Sequence, residues 1–320
     1  MTEPSWKRIE LHLHLEGAVT VGDALLLASK NKIAGIDDEK VRNLFVHGCL
    51  DEFLRHFGAV VGFLRSADDV VWLLNRLLKR LSRQRVAYAE IRVSPSVWER
   101  HGIDPEESLR ALCSARLGAF TSHQFIVDGV RQWDKGLLER DLRLALGYRK
   151  RGVSGIGLGG DEKAAPAKLF SWLSDACEAE RLPLLVHAGE ASGPEEVADA
   201  IDILRAKRIG HGVAAAADPA LMARLAGQNV HLEICPSSNY ATGAVPAGKP
   251  HPIGALVKNG VPCSISTDDP GLFSTSLAAE ERLARRSGLS SAAIIGCRVA
   301  AANAALLPPN ERKALAAMIM

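Results

Sequence analysis

A chain of 320 residues with 39 lysines and arginines against 37 aspartates and glutamates has no broad basic field, which excludes nucleic acid and an anionic membrane as expected partners and leaves a small molecule. Six cysteines, at 49, 113, 177, 235, 263 and 297, form no CxxC pair, a pattern of reduced thiols in a cytoplasmic protein. Met1–Trp6 lacks a basic stretch followed by an apolar one, and no apolar run reaches membrane-spanning length, so neither secretion nor insertion is expected.

In chain order, the first strand-like segment is Ile9–His14. The interval Val21–Arg85 then holds about three helical patterns, among them Leu50–Leu64 and Asp68–Leu81, where one crossover needs a single helix. The surplus predicts a helical insertion over one rim. Seven further apolar or β-branched segments follow: Val86–Val93, Phe125–Val130, Val153–Leu158, Leu184–His187, Arg208–His211, Val230–Cys235 and Val261–Thr267. Between them lie helical patterns such as Ala167–Ala179, Glu195–Leu204 and Pro219–Ala226, and the Ala-rich end, Leu277–Met320, is expected to pack outside. Eight strands alternating with helices predict an α/β fold, a (β/α)8 TIM barrel formed as one domain over residues 1–320. The chain carries no repeat, linker or signature of oligomeric state.

Polar residues gather at the ends of these strands. His12 and His14 are two apart, so a strand turns both imidazoles to one face and Leu11, Leu13 and Leu15 to the other. Alone, such a pair is weak evidence, since two satisfied histidines fit a strand equally well. His187 after Leu184-Leu185-Val186 adds a third nitrogen, and Asp268 in Ser266-Thr267-Asp268-Asp269-Pro270 adds a carboxylate. Three nitrogens and one oxygen suit one Zn2+ with a position open for water. His187 by itself reads as a core histidine and Asp268 as a helix cap, but their joint placement after strands one, five and eight favours a metal.

Zinc makes hydroxide available near neutral pH, so the site still needs groups that move protons. Glu190, three residues after His187, is placed to protonate a ring nitrogen, and His211, between Gly210 and Gly212, to take the water's proton or to orient the water. The bland alternatives are an exposed loop carboxylate and a turn histidine.

These segments closely resemble the adenosine deaminase branch of the amidohydrolase superfamily, from His12 to Pro270. The likeness rests on His12-Leu13-His14-Leu15-Glu16-Gly17, Tyr88-Ala89-Glu90-Ile91-Arg92, Gly160-Asp161-Glu162, His187-Ala188-Gly189-Glu190, Gly210-His211-Gly212, Cys235-Pro236-Ser237-Ser238-Asn239 and Thr267-Asp268-Asp269-Pro270. The resemblance implies His12, His14, His187 and Asp268 as zinc ligands, Glu190 as the acid toward purine N1, and His211 positioning or deprotonating the water. It further implies that protonated Asp269 donates to N7, that the Gly160 backbone meets N3, and that Glu16 contacts the sugar side. The product would be a 6-oxopurine with release of ammonia.

Glu16 departs from the Asp usual in adenosine deaminases, a pattern shared with relatives acting on free adenine or on enlarged adenosines such as the aminodeoxyfutalosine of the menaquinone route. Glu90-Ile91-Arg92-Val93-Ser94-Pro95 looks nucleoside-type, which favours a purine nucleoside, with adenine the alternative. Two other classes are a non-deaminase amidohydrolase, which would commonly carry a metal-bridging Lys where the middle strand ends in Gly159, and a purine-nucleoside binding protein, which would not need Glu190 and His211 beside four ligands. Gly155-Ile156-Gly157-Leu158-Gly159-Gly160 satisfies G-x-G-x-x-G, but Asp161 and Glu162 follow at once and would repel a pyrophosphate. The glycines are read as letting a substrate ring approach. His251, between Pro250 and Pro252, is read as structural.

Overall fold

The computed structural model describes residues 8–116, 118 and 121–319. Met1–Trp6 and Met320, for which the sequence carries expectations, lie outside these. Eight parallel strands stand side by side in sequence order: β1 (Arg8–His14), β2 (Val86–Val93), β3 (Ser122–Val130), β4 (Val153–Gly159), β5 (Leu184–Ala188), β6 (Arg208–His211), β7 (His231–Ile234) and β8 (Cys263–Ile265). Past β8 the Asp268 N–H donates to the His12 carbonyl at 2.9 Å and the His14 N–H to the Asp268 carbonyl at 2.8 Å, which joins the eighth strand to the first. The result is the expected (β/α)8 barrel. Its strands are buried on both faces, β2 at every position, which is why they read as continuous apolar runs.

Between β1 and β2 lie four helices among the described residues, α1 (Val21–Lys30), α2 (Asp38–Asn43), α3 (Leu50–Val61) and α4 (Ala67–Arg83), where periodicity predicts about three. The extra one, α2, has six residues, too few to show a helical period. Helix α4 is the crossover: Ser66 caps it by accepting from the Asp69 N–H, and Leu73, Leu74, Leu77, Leu78 and Leu81 are buried. It packs on β2 and reaches the short turn Glu16–Ala18 that leaves β1, and α3 lies against the same turn, and so over the rim.

The remaining helices follow the strands: α5 (Pro95–Arg100), α6 (Pro105–Ser114), α7 (Lys135–Tyr148), α8 (Ser171–Ala179), α9 (Pro194–Asp202), α10 (Pro219–Gly227), α11 (Pro236–Ala241), α12 (Ile253–Lys258), α13 (Leu277–Arg286), α14 (Ser291–Ala304) and α15 (Pro309–Ile319). The Ala-rich end packs outside as expected, with Ala301, Ala302, Ala305, Leu315 and Ile319 burying Ile9, Leu11, Ala87 and Tyr88. No helix among the described residues is long and apolar enough to cross a membrane.

Candidate active site

The barrel brings His12, His14, His187 and Asp268 together at the C-terminal ends of β1, β5 and β8, with one ligand atom of each within 4.8 Å of the others. Asp268 Oδ1 is 3.2 Å from His12 Nε2 and 3.3 Å from His14 Nε2. Both Asp268 and His211 adopt left-handed backbone, φ +60° and +61°, a strain that non-glycine residues accept chiefly where a site needs their direction.

The outer nitrogens of the imidazoles explain how the inner ones stay available. His12 Nδ1 is 2.7 Å from Glu233 Oε2, and His187 Nδ1 is 3.3 Å from the Leu158 carbonyl. Both neighbours only accept, so each Nδ1 carries the proton and each Nε2 keeps a lone pair for a cation. His14 Nδ1 is 3.9 Å from Asp128 Oδ2, too long for a direct bond. The buried His12 Nε2 has no hydrogen-bond partner of its own. Burial alone would discharge His14, yet the acidic groups around it, Asp269, Asp268 and Asp128, push it up to about 9, so the site draws positive charge to this point. Orphaned nitrogen, lone-pair orientation and a demand for a cation all fit a metal ion.

Around this centre stand carboxyls in opposite states. Burial works against the Asp268 charge, but the His12 and His14 imidazoles beside its Oδ1 hold it well below the usual carboxylate range. Glu190 is pushed up to about 8 by burial and by repulsion from Asp268 and Glu162. Burial and Asp268 likewise push Asp269 far above its ordinary value. Two acids pushed toward their protonated forms thus stand beside one held ionised.

Each is held by a specific neighbour. Glu162 accepts from the Gly189, Glu190 and Ser192 N–H groups at 3.0, 3.0 and 3.2 Å, fixing the loop that carries Glu190. Thr242 Oγ1 donates to Glu190 Oε1 at 3.0 Å. Asp269 lies against Gly17 so closely that a Cβ there would fall 1.6 Å from Oδ1, so residue 17 can only be glycine. His211 Nε2 faces Glu190 Oε2 at 3.5 Å and Asp268 Oδ2 at 3.8 Å.

A cavity of about 480 Å³ opens over these groups, lined by Leu50, Phe53, Leu54 and Phe57 of α3 and by Gly160. Glu16 is not part of the wall. It is buried beneath Ser94, whose N–H donates to its Oε1 at 2.9 Å, and its Oε2 has no partner. The glycine-rich run is explained mainly by packing: a Cβ on Gly157 would lie 1.7 Å from Asp128 Oδ1, and one on Gly159 would press on Asp128 and His187. Gly159 and Gly160 both line the cavity, and Gly160, at φ +99°, has the backbone expected of a glycine that admits a ring. A larger cavity of about 890 Å³ lies at the opposite end of the barrel, but no carboxylate lines it among the described residues.

Sequence reasoning did not reach the layer beneath the ligands. Arg92 meets Asp128 at 2.9 Å and Glu233 at 3.0 Å, while Arg208 meets Glu233 at 2.7 Å and Glu90 at 2.6 Å. Glu233 therefore links two guanidinium groups to the ligand His12. The quoted Glu90-Ile91-Arg92 contains two of these residues, but nothing local reveals their partners.

Comparison with known proteins agrees with this geometry. The adenosine deaminase family model matches residues 7–320. An aminodeoxyfutalosine deaminase of Acidothermus cellulolyticus is 34% identical over 296 residues, covering 88% of this chain and 83% of the relative. An adenine deaminase of Chelativorans sp. is 32% identical over 318 residues, covering 98% of this chain and 97% of that one. The crystal structure of an adenine deaminase from Arthrobacter aurescens superposes with a TM-score of 0.90 at 24% identity, covering 98% of this chain and 97% of its own, and so shares the fold. By family model and relatives alike, the chain belongs to the adenosine deaminase family and is a hydrolytic deaminase acting on an adenine-type substrate.

Proposed function

We propose that this chain, as one hydrolase domain in the cytoplasm, removes the 6-amino group of an adenine nucleoside, adenosine or a 5′-modified adenosine such as aminodeoxyfutalosine. The observation that carries the reading is the placement of two buried carboxyls, Glu190 and Asp269, in one cavity with the metal-competent set, both pushed toward their protonated forms. His12, His14, His187 and Asp268 would hold one Zn2+, which supplies Lewis acidity and lowers the pKa of water toward neutrality when bound.

The chain's own groups account for the rest. Protonated Asp269 donates to N7 and the Gly160 backbone meets N3, which fixes the ring plane. Glu190 gives its proton to N1 as water adds to C6, so the ring nitrogen gains a hydrogen while the carbon becomes tetrahedral. Collapse to the 6-oxopurine passes the proton of the new C6 hydroxyl, through the Glu190 carboxylate, to the amino group, which leaves as ammonia, and the proton that the water shed on adding restores Glu190. His211, which lines the same cavity as the apolar residues of α3, contacts the attacking water.

A nucleoside is favoured over a bare base because the cavity of about 480 Å³, lined by Arg55, Arg100 and Trp133 as well as by the carboxyls, is larger than a purine ring alone would fill. Glu16, buried outside the cavity wall, would act on that sugar side through Ser94, a lining residue whose N–H it accepts. Free adenine is the second reading, favoured by the near-complete overlap with a relative named adenine deaminase. Ammonia release from adenosine, adenine and aminodeoxyfutalosine, measured side by side on zinc-loaded protein, tests this. A nucleoside turned over at least tenfold faster than adenine supports the proposal, adenine ranking first moves it to the second reading, and silence on all three overturns both.

A further inference from the structure

His211 does not stand alone behind the site. Its Nδ1 is 3.0 Å from the Asn239 side-chain amide, Asn239 Oδ1 is 3.1 Å from His251 Nε2, and His251 Nδ1 is 3.1 Å from the backbone nitrogen of Ile253. All three side chains are buried. The line starts from a group whose role is not adjustable, because a backbone N–H can only donate. Ile253 opens α12, where the first N–H groups lack partners in the helix, and Pro252 before it has none to offer.

Each link then follows by elimination. His251 Nδ1 must accept from Ile253, so in the neutral ring the proton sits on Nε2. That proton must point at an acceptor, so Asn239 turns its oxygen to His251 and its NH2 to His211. His211 Nδ1 must in turn accept, which leaves its proton on Nε2, the nitrogen that faces Glu190 and Asp268. The deduction does not depend on how the amide is drawn, since the opposite orientation would set two donors against each other. Burial holds His251 down to about 4, so the ring is neutral at working pH.

We propose that Asn239 and His251 are positioning residues that lock His211 in the form with its proton on Nε2. His211 then acts as a hydrogen-bond donor that orients the attacking water rather than as its base. The inference rests on the proposed deamination for its consequence, but the protonation pattern is a property of the protein alone.

Long-range 1H–15N spectra of histidine-labelled, zinc-loaded protein at pH 8 read the pattern directly. Both His211 and His251 should show an unprotonated Nδ1 and a protonated Nε2, and any other form at either residue overturns the proposal. Asn239→Asp, nearly isosteric but accepting where Asn donates, should move the His211 proton to Nδ1 and lower kcat by about a hundredfold, the scale of losing one oriented donor, with KM little changed. An unchanged His211 signal and kcat in that variant would also sink it. His251→Phe should mix the His211 forms and His251→Gln, which can donate to Asn239, should restore them; lower thermal stability with an unaltered His211 signal would mark His251 as purely structural and refute its part. Should His251→Phe fail to fold, the wild-type and Asn239→Asp spectra still decide. Absence of turnover on every adenine substrate would refute the deaminase reading and leave the spectra to judge this one.

Discussion

Two layers of the barrel, one above the other, treat buried carboxyls in opposite ways. In the lower layer Asp128, Glu90 and Glu233 each have a guanidinium within 3.0 Å, supplied by Arg92 or Arg208, and Glu233, which meets both, is held well below its ordinary value even though burial still raises Glu90. At the rim Glu190, Asp269 and Glu16 have no such cation, and burial pushes all three up. His12 belongs to both layers, with Nδ1 on Glu233 below and Nε2 toward Asp268 above. Buried charge is tolerated when paired and otherwise keeps its proton, so the lower layer can serve as fixed support and the upper one as a source of protons.

The rim should yield the largest effects. Glu190→Gln removes a donatable proton but no proposed ligand, so the variant should keep its zinc, measured by elemental analysis after dialysis, and lose about 10²- to 10⁴-fold in kcat. Asp268→Asn should do the reverse in its first consequence, losing zinc on dialysis, with activity falling as a result. Full activity in the Glu190 variant, or full zinc retention in the Asp268 variant, would blur the assigned division between proton donor and ligand.

Much of the upper layer was legible because it sits at strand ends. Buried parallel strands are apolar runs, and a histidine or aspartate that closes such a run stands out against it, as His187 does after Leu184-Leu185-Val186. The lower layer was not legible for the same reason in reverse. Arg92 and Glu233 are 141 residues apart, Arg92 and Asp128 36 apart, and only the register of the closed sheet brings them together. Glu162 was visible as an acidic residue after a glycine run, yet its three backbone N–H partners depend on how the loop after β5 folds back. His251 reads as structural between two prolines, and it does cap α12, but its other nitrogen reaches Asn239 through tertiary packing alone. Glu16 fits its family motif while its side chain turns under Ser94, a direction that sequence does not encode.

Support from below should show as a smaller effect on affinity. Glu233→Gln keeps an oxygen near His12 but weakens the charge that orients its ring and leaves Arg92 and Arg208 short of a partner. Zinc affinity, read by competition with a chelator, should fall about 10- to 100-fold, as for other groups that hold a ligand from behind. Unfolding free energy should drop by about 3–5 kcal/mol, the usual cost of breaking a buried pair. Activity at saturating zinc should stay within about tenfold of the parent, given that Glu233 does not line the substrate cavity. A variant with unchanged zinc affinity would reduce the lower layer to packing.

Glu10 makes the finest test, because it lies in the lower layer yet has no guanidinium. It is fully buried, accepts from the His12 N–H at 3.1 Å and lies 2.7 Å from Thr267 Oγ1. Burial raises its pKa from 4.5 to about 8. Below pH 4.5 both folded and unfolded chains carry the proton and Glu10 adds no pH dependence. Between pH 4.5 and 8 the unfolded chain releases the proton first, so folding stability falls by up to about 1.4 kcal/mol per pH unit, and above pH 8 the loss is complete. Gln mimics the protonated acid at this position, with its NH2 able to donate to Thr267. Glu10→Gln should therefore match the parent at pH 4.5 and exceed it by a few kcal/mol at pH 8 in denaturant unfolding of zinc-saturated protein, where the ligands' own titration is common to both and cancels. An advantage of equal size at both pH values would mean that Glu10 is ionised throughout, and that a buried carboxylate in this barrel can do without a cation.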